Sequence, residues 1–182
     1  QGDIYIPRIK WTQSDNSLAV FWMNRLQNHL QVLLTDATTG NSSTLYEEKN
    51  KYYVDINDDW WFLKNGKQML YGSEKEGWYR LYLQSLDYKQ TTEITKLNSD
   101  VTDIHGVDEK AGLVYYSVAY PTPMDRNLFV SDFSGKKTVQ LTSGSGWHSV
   151  SMSPDFTSFV DRHSTINSPQ RVVRYAIKNN KG

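Results

Sequence analysis

Short runs of apolar residues separated by polar turns dominate the pattern along the chain. The runs are rich in β-branched and aromatic residues, as at 18–22, 79–83, 113–116 and 171–175. Asp, Asn, Gly, Ser and Lys fill the turns between them, and apolar residues at helical spacing are scarce. Apolar runs that are bounded by turn residues in this way are typical of β-strands. The pattern therefore predicts an all-β fold.

The turns recur at a nearly constant interval. Asn16 and Gly66 are 50 residues apart, and 45 residues separate Gly66 from Ala111 and Ala111 from Phe156. A four-stranded unit that repeats every ~40–50 residues is the sequence signature of a β-propeller blade. We therefore predict a partial β-propeller of about three and a half to four four-stranded antiparallel blades. The expected blades of this single propeller domain cover approximately 3–50, 51–100, 101–146 and 147–182.

Strands and core follow from the same alignment of repeats. In the second blade, strands are expected over 52–57, 60–63, 68–73, 78–86 and 92–97. Apolar residues at equivalent blade positions are expected to be buried between sheets: Trp11, Phe62, Leu81, Tyr116, Leu128, Met152 and Val173. An open ring cannot cover its own ends, so the flanks at 4–11 and 159–175 are expected to be exposed and to favour self-association.

Composition and charge exclude several functional classes. Lys+Arg and Asp+Glu are both 20, and this zero net charge argues against a nucleic-acid partner. The absence of cysteine excludes disulfides, thiol catalysis and cysteine-ligated zinc. The longest apolar run, 19–23, is too short for a transmembrane segment, and the first residues do not resemble a signal peptide. The aromatic content of 13% argues against disorder.

No catalytic motif is visible in the chain. The glycine-serine string at 143–146 lacks the spacing of a Gly-X-Ser-X-Gly nucleophile elbow. His29, His105, His148 and His163 lack the spacing of a helical zinc site, and most of them are expected to be solvated or to lie at strand edges. We therefore predict no catalytic residue, no metal ligand and no cofactor in this segment.

Two acidic stretches are candidates for binding. Glu47 and Glu48 are adjacent, and adjacent strand residues point to opposite faces, so a charged outer edge strand is favoured over a shared ligand site. The stretch 57–61 places acidic residues beside two tryptophans. It fits a ligand pocket on a propeller face and equally a loop that enters a core strand, and both interpretations remain open.

Several strings resemble a known family in their order and spacing. The most specific are Asn-Arg-Leu-Gln-Asn at 24–28 and Ser-Glu-Lys-Glu-Gly at 73–77, and further matching strings lie at 3–11, 52–55, 62–67 and 148–155. Together they resemble the N-terminal propeller of the dipeptidyl peptidase IV family, in the prolyl-oligopeptidase clan of serine peptidases. The resemblance covers essentially the whole chain.

The resemblance implies the latter half of an eight-bladed propeller, followed after Gly182 by an α/β-hydrolase domain with the Ser, Asp and His triad. This segment would then be inactive alone and would form part of the chamber that gates and positions the peptide substrate. The parent would release N-terminal X-Pro or X-Ala dipeptides and would be periplasmic or at the cell surface. The family's substrate-binding glutamate pair lies upstream of Asp3, so Glu47 and Glu48 are not that pair; its substrate-binding arginine is upstream too.

One substrate subsite falls within the chain by the same resemblance. Family members often border an outer subsite with an aromatic residue and an arginine, and the equivalent stretch at 53–58 has no arginine. The candidate subsite residues are Tyr53, Asp55, Asn57 and Asp58, whose acidic character would favour basic side chains in longer peptides. The alternatives are a protein-binding scaffold propeller without a peptidase parent and a periplasmic propeller of the translocation type. The family strings argue against the translocation type.

Overall fold

The computed structural model describes residues 3–178, which form β-strands, turns and loops. Within this range there is no helix, and hence none long and apolar enough to cross a bilayer. The chain divides into two compact units. One consists of Gln1–Lys75 and Leu83–Thr91, and the other consists of Glu76–Tyr82 and Thr92–Gly182.

The strands form four antiparallel sheets, in which the strands follow one another in chain order. The first sheet contains β1 (Ile4–Trp11), β2 (Ser17–Asn24), β3 (His29–Asp36) and β4 (Ser42–Lys49). The second contains β5 (Trp60–Phe62), β6 (Gln68–Ser73), β7 (Arg80–Ser85) and β8 (Thr91–Glu93). The third contains β9 (Val101–Asp108), β10 (Leu113–Val118), β11 (Asn127–Asp132) and β12 (Thr138–Gln140). The fourth contains β13 (Trp147–Met152), β14 (Ser158–Thr165) and β15 (Ser168–Ala176).

This succession of antiparallel meanders is a partial β-propeller, which confirms the predicted fold class. Strand β2 shows why the sequence folds in this way. Ala19, Phe21 and Met23 alternate along it with less buried residues, and all three are buried. Because side chains alternate between the faces of a strand, this two-residue period places one face of the sheet in the core.

An aromatic cluster forms the core of the first unit. The rings of Phe21 and Trp60 meet edge to face with centroids 5.0 Å apart, and Trp60 stacks on Tyr71 at 5.2 Å. Tyr46 packs against Tyr71 at 4.6 Å. Burial raises the pKa of Tyr46 above its usual value, so its hydroxyl stays protonated and donates a hydrogen bond to Glu48 Oε2 at 2.5 Å. The cluster buries large rings while satisfying their polar ends.

The core of the second unit is mainly aliphatic. Leu128, Val130 and Leu141 are buried together with Tyr115 and Phe159. The backbone N–H of Leu128 donates to Thr142 Oγ1 at 2.9 Å, and the Leu128 carbonyl accepts from Leu141 N at 2.8 Å. The backbone polar groups of this buried strand are therefore paired, as burial requires.

The predicted core is only partly correct. Phe62, Leu81, Tyr116 and Leu128 are buried as expected, and Met152 is half-buried. Trp11 and Val173 contradict the prediction, because they are 59% and 40% exposed. They lie in β1 and β15, which end their sheets, so each of these strands lacks a hydrogen-bonded neighbour on one flank among the described residues.

The prediction of exposed flanks is wrong at two positions, because Phe159 and Asp161 are both buried. Phe159 is buried, because β14 is the middle strand of its sheet and carries this side chain into the core of the second unit. Most of the exposed apolar residues that the prediction anticipated lie in β1 and β15: Ile4, Tyr5, Ile6, Ile9, Trp11, Val172, Val173 and Tyr175.

The expected strand over 52–57 is absent, because this stretch is a loop before β5. Its hydrogen bonds are not those of a β-ladder. Val54 N donates to Gln27 O at 2.8 Å, and the side-chain Nδ2 of Asn57 donates to Gly72 O at 3.1 Å. In β5, Trp60 and Phe62 are buried on the same side, as the interpretation of 57–61 as a loop that enters a core strand requires, whereas Trp61 between them is 40% exposed.

Candidate functional site

The loop before β5 carries all four residues that the resemblance assigns to a substrate subsite. Tyr53 and Asp55 are exposed, and Asp55 Oδ1 accepts a hydrogen bond from the neighbouring Ile56 N at 2.8 Å. Asn57 is occupied within the fold, because its Nδ2 donates to Gly72 O and its Oδ1 accepts from Asp59 N at 3.1 Å. Asn57 therefore fixes the end of the loop onto β6.

Asp58 forms an ion pair with Arg8 of β1. Arg8 Nε lies 2.6 Å from Asp58 Oδ1, and both side chains are exposed. The hydrogen bond from Arg8 lowers the pKa of Asp58, and the positive charge of Arg8 lowers it further. Asp58 therefore stays ionised, but its charge is already balanced by an arginine of this chain.

Two cavities lie beside this ion pair. One, of about 230 Å³, is lined by Arg8, Ile9, Asn57, Asp58 and Trp60 among others. The other, of about 360 Å³, lies where the end of β1 faces β5, and we name it the β1–β5 groove. Its lining includes Lys10, Trp11, Gln13, Asp58, Trp61 and Phe62. The structure thus brings Asn57 and Asp58 to a cavity, whereas Tyr53 and Asp55 line neither one.

Three side chains from β1 and the turn after it reach the segment 58–62. Besides the Arg8–Asp58 pair, Lys10 Nζ donates to Trp60 O at 2.5 Å. Gln13 Nε2 donates to Phe62 O at 3.1 Å. The two partners of each contact are separated by 50, 50 and 49 residues. The sequence analysis did not predict these contacts. A search for complementary residues about one repeat length apart would have found them, because the partners are separated by 49 or 50 residues.

The adjacent glutamates point to different partners, as expected for neighbours on a strand. Glu47 Oε1 lies 3.0 Å from Lys49 Nζ and 2.7 Å from His29 Nε2. These contacts, with the Lys49 contact the largest, lower the pKa of Glu47 to about 2. Glu48 Oε2 instead accepts hydrogen bonds from the hydroxyls of Tyr46 and Ser73. The two carboxylates therefore do not converge on one ligand.

His148 is an exception to the expectation that most of the histidines are solvated or lie at strand edges. Its Nδ1 lies 2.7 Å from Asp161 Oδ2, and both residues are buried. The ring of His163, directly opposite on β14, stacks on His148 with centroids 4.1 Å apart. His105 is half-buried, and desolvation lowers its pKa while Ser117 Oγ lies 2.7 Å from its Nε2.

The adjacent glutamates and the histidine contacts do not assemble into a metal site or a reaction centre within the described residues. Across residues 3–178, no group of three or more His, Asp or Glu side chains is arranged to hold a metal ion. The His148–Asp161 pair is enclosed, with buried polar atoms on both partners that make no hydrogen bond within the described residues. The chemistry available at the exposed surface is that of binding: paired charges beside tryptophan rings.

Comparison with known proteins relates this geometry to a family. The family model of the dipeptidyl peptidase IV (DPP IV) N-terminal region matches residues 1–170. The crystal structure of Porphyromonas gingivalis dipeptidyl peptidase 4 superposes with a TM-score of 0.86 at 30% sequence identity, covering 98% of this chain and 25% of that one.

Curated relatives agree at lower identity. Dipeptidyl peptidase 8 of Mus musculus is 24% identical over an alignment of 230 residues with its gaps, and the alignment covers 97% of this chain and 26% of that protein. Dipeptidyl peptidase 4 of Arthroderma otae is 23% identical over 188 residues, with coverages of 100% and 24%. The chain thus spans about a quarter of the length of these relatives. With its succession of antiparallel sheets and this match along almost its whole length, the chain belongs to the dipeptidyl peptidase IV family and represents part of the N-terminal β-propeller region.

Proposed function

We propose that this chain is the non-catalytic propeller segment of a dipeptidyl peptidase IV-like serine exopeptidase. In this proposal the parent releases X-Pro or X-Ala dipeptides from peptide N-termini, and the segment forms part of the chamber that gates and positions the substrate. The observation that carries the proposal is the family match over residues 1–170. A rigid wall contributes to such a reaction by orientation, because fixing the peptide determines which bond reaches the nucleophile.

The proposal assigns the reacting groups to an α/β-hydrolase domain C-terminal to Gly182 in the parent. It is supported by relatives that are named dipeptidyl peptidases and of which this chain covers about a quarter. Within the chain, the loop at 53–58 is the proposed border of an outer substrate subsite. Asp55 is the better candidate for contact with a basic side chain, because the charge of Asp58 is paired with Arg8.

Peptidase assays test whether catalysis belongs to the rest of the parent protein and not to this chain. The 182-residue chain is expected to show no turnover of Gly-Pro or Ala-Pro chromogenic substrates, whereas the longer parent protein is expected to hydrolyse them. In the parent, Asp55→Asn is expected to raise KM for peptides with a basic residue beyond the dipeptide and to leave KM for the short substrates unchanged. Asp15→Asn, at an exposed position of the turn between β1 and β2, is the matched control.

Two results would contradict this proposal. Turnover by the repurified 182-residue chain, blocked by a serine-directed fluorophosphonate, would show that the segment carries its own nucleophile. An inactive parent would remove the peptidase assignment. Equal effects of Asp55→Asn and Asp15→Asn on KM would show that the loop does not border the subsite and would leave the peptidase assignment intact.

We also propose that the 182-residue chain self-associates through the exposed apolar residues of β1. Ile4, Ile6 and Ile9 are all exposed, and exposed apolar patches on a protein surface usually mark a contact surface. The mass measured by light scattering is expected to rise with protein concentration, and Ile9→Lys is expected to suppress the rise. A constant monomer mass over the series, with terminal strands protected in hydrogen exchange, would contradict self-association.

A further inference from the structure

The β1–β5 groove has exposed tryptophans as its walls. Trp11 is 59% exposed and Trp61 is 40% exposed, and both line the groove. Trp60 and Phe62 also line it but are buried, and Trp60 belongs to the aromatic core of the first unit. The groove thus combines a fixed aromatic floor with indole rings that water can reach.

The polar groups around the groove are already used by the protein. Lys10 Nζ donates to the Trp60 carbonyl, and Gln13 Nε2 donates to the Phe62 carbonyl. Asp58 is held by Arg8. A sugar needs many hydrogen-bonding partners, and polar groups that are already paired would lose as much as they gain on binding one. This arrangement therefore favours a ligand that binds mainly through apolar and ring contacts.

The charges around the groove sum to zero. Of the charged residues, Lys10, Asp58 and Asp59 line the groove. Arg8 lies outside the lining but forms an ion pair with Asp58, so the charges of these four residues balance. A charged ligand would meet an opposite charge that is already balanced and would have to give up its own hydration to enter. An uncharged ligand avoids this cost, so the electrostatics select against both acidic and basic side chains.

We propose that the β1–β5 groove binds an uncharged aromatic side chain presented by a peptide segment. The volume of about 360 Å³ falls in the range of small-ligand sites. The ligand ring packs against the indoles of Trp11 and Trp61 in an offset or edge-to-face arrangement, and an indole N–H donates to a carbonyl of the peptide backbone. This site goes beyond the proposed exopeptidase role, because it needs no residue outside this chain.

Fluorine NMR of the full chain labelled with 5-fluorotryptophan tests the proposal. The probes are the capped tripeptides acetyl-Gly-Phe-Gly-amide, acetyl-Gly-Lys-Gly-amide and acetyl-Gly-Glu-Gly-amide. The Phe peptide is expected to shift the Trp11 and Trp61 resonances in a saturable way, and the Lys and Glu peptides are not. The two resonances are assigned from Trp11→Phe and Trp61→Phe variants.

Alanine variants measure the contribution of each wall. Trp11→Ala and Trp61→Ala are each expected to weaken binding of the Phe peptide by about three- to tenfold. Trp147→Ala is the matched control, because Trp147 is 50% exposed and lies in β13, outside the groove. Unchanged far-UV circular dichroism and unchanged thermal midpoints establish that the variants fold.

Any of three results would overturn the proposal. The first is the absence of a saturable shift at Trp11 and Trp61 with the Phe peptide. The second is an equal response to the Lys or Glu peptide, or to a neutral disaccharide such as maltose. The third is equal weakening of Phe-peptide binding by Trp147→Ala. Because the readout is binding by the chain alone, failure here leaves the peptidase assays of the parent unaffected.

Discussion

Truncating Leu128 to alanine is expected to lower the free energy of unfolding by about 2–5 kcal/mol. Leu128 is fully buried in β11, among Tyr115, Val130, Leu141 and Phe159. Its removal forfeits apolar burial and leaves a cavity that the surrounding rings and strands fill only partly. Chemical denaturation monitored by tryptophan fluorescence and circular dichroism measures the loss.

Val172→Ala is the matched control for this truncation. Val172 is an aliphatic strand residue like Leu128, but it lies in β15 and is exposed. Its truncation is expected to change the free energy of unfolding by less than about 0.5 kcal/mol. If Leu128→Ala costs no more than this control, Leu128 does not occupy the core of the second unit.

Replacing Asp161 by alanine is expected to destabilise the fold by about 1–3 kcal/mol, the cost of leaving a buried polar group without its hydrogen-bond partner. His148 Nδ1 lies 2.7 Å from the Asp161 carboxylate, and both side chains are buried. Without the carboxylate, the imidazole keeps its desolvation cost and loses its partner. Breaking a buried pair from one side is costly for this reason, whatever the net contribution of the intact pair.

Two control variants distinguish the stability effect of losing the buried His148–Asp161 contact from that of losing a surface ion pair. Asp58→Ala removes an equally short ion pair, with Arg8, but both of its partners are exposed, so only a small change is expected. Asp161→Asn keeps an acceptor oxygen near His148 and is expected to fall between Asp58→Ala and Asp161→Ala. If Asp161→Ala and Asp58→Ala prove equally mild in urea denaturation, the His148–Asp161 contact is absent in solution.

The fold class follows from features that are local in sequence. Alternating residues such as Ala19, Phe21 and Met23 indicate a strand with one buried face, and the 45–50-residue interval of the turns indicates a repeated sheet. The alternation along a strand and the interval between turns can both be recognised without knowing which strands are neighbours. They therefore predict the partial propeller correctly.

Burial at the ends of the sheets depends on neighbours that a local pattern does not contain. Trp11 and Phe62 look alike in their alternation, and β1 and β5 both end their sheets, yet Trp11 is exposed and Phe62 is buried. The difference is what packs on each strand: β5 lies against the first sheet, where Trp60 meets Phe21, whereas almost every residue of β1 is exposed. His148 shows the converse. Its burial depends on the register that brings Asp161 and His163 across from β14, and sequence alone does not determine that register.

In the candidate site, too, the sequence predicts the local features but not the contacts with distant residues. Sequence identifies the acidic and tryptophan-rich stretch at 57–61 but leaves its role open, and read alone this stretch suggests a negatively charged surface. The structure supplies Arg8 and Lys10 from one repeat earlier, so the surface is neutral instead. Comparing positions one repeat apart would have predicted this pairing, because equivalent strands of successive sheets face each other in the first unit.

The contacts that join positions about 50 residues apart limit how the length of this chain can vary during evolution. Arg8, Lys10 and Gln13 each meet their partner only if the strands between them keep their lengths and register. A single insertion within a strand of this interval reverses the facing of all later side chains in that strand and displaces the three contacts together. The exposed turn between β3 and β4 can absorb extra residues without this effect. Among homologues, length differences in the first repeat should therefore concentrate at that turn, while the strands keep a constant length.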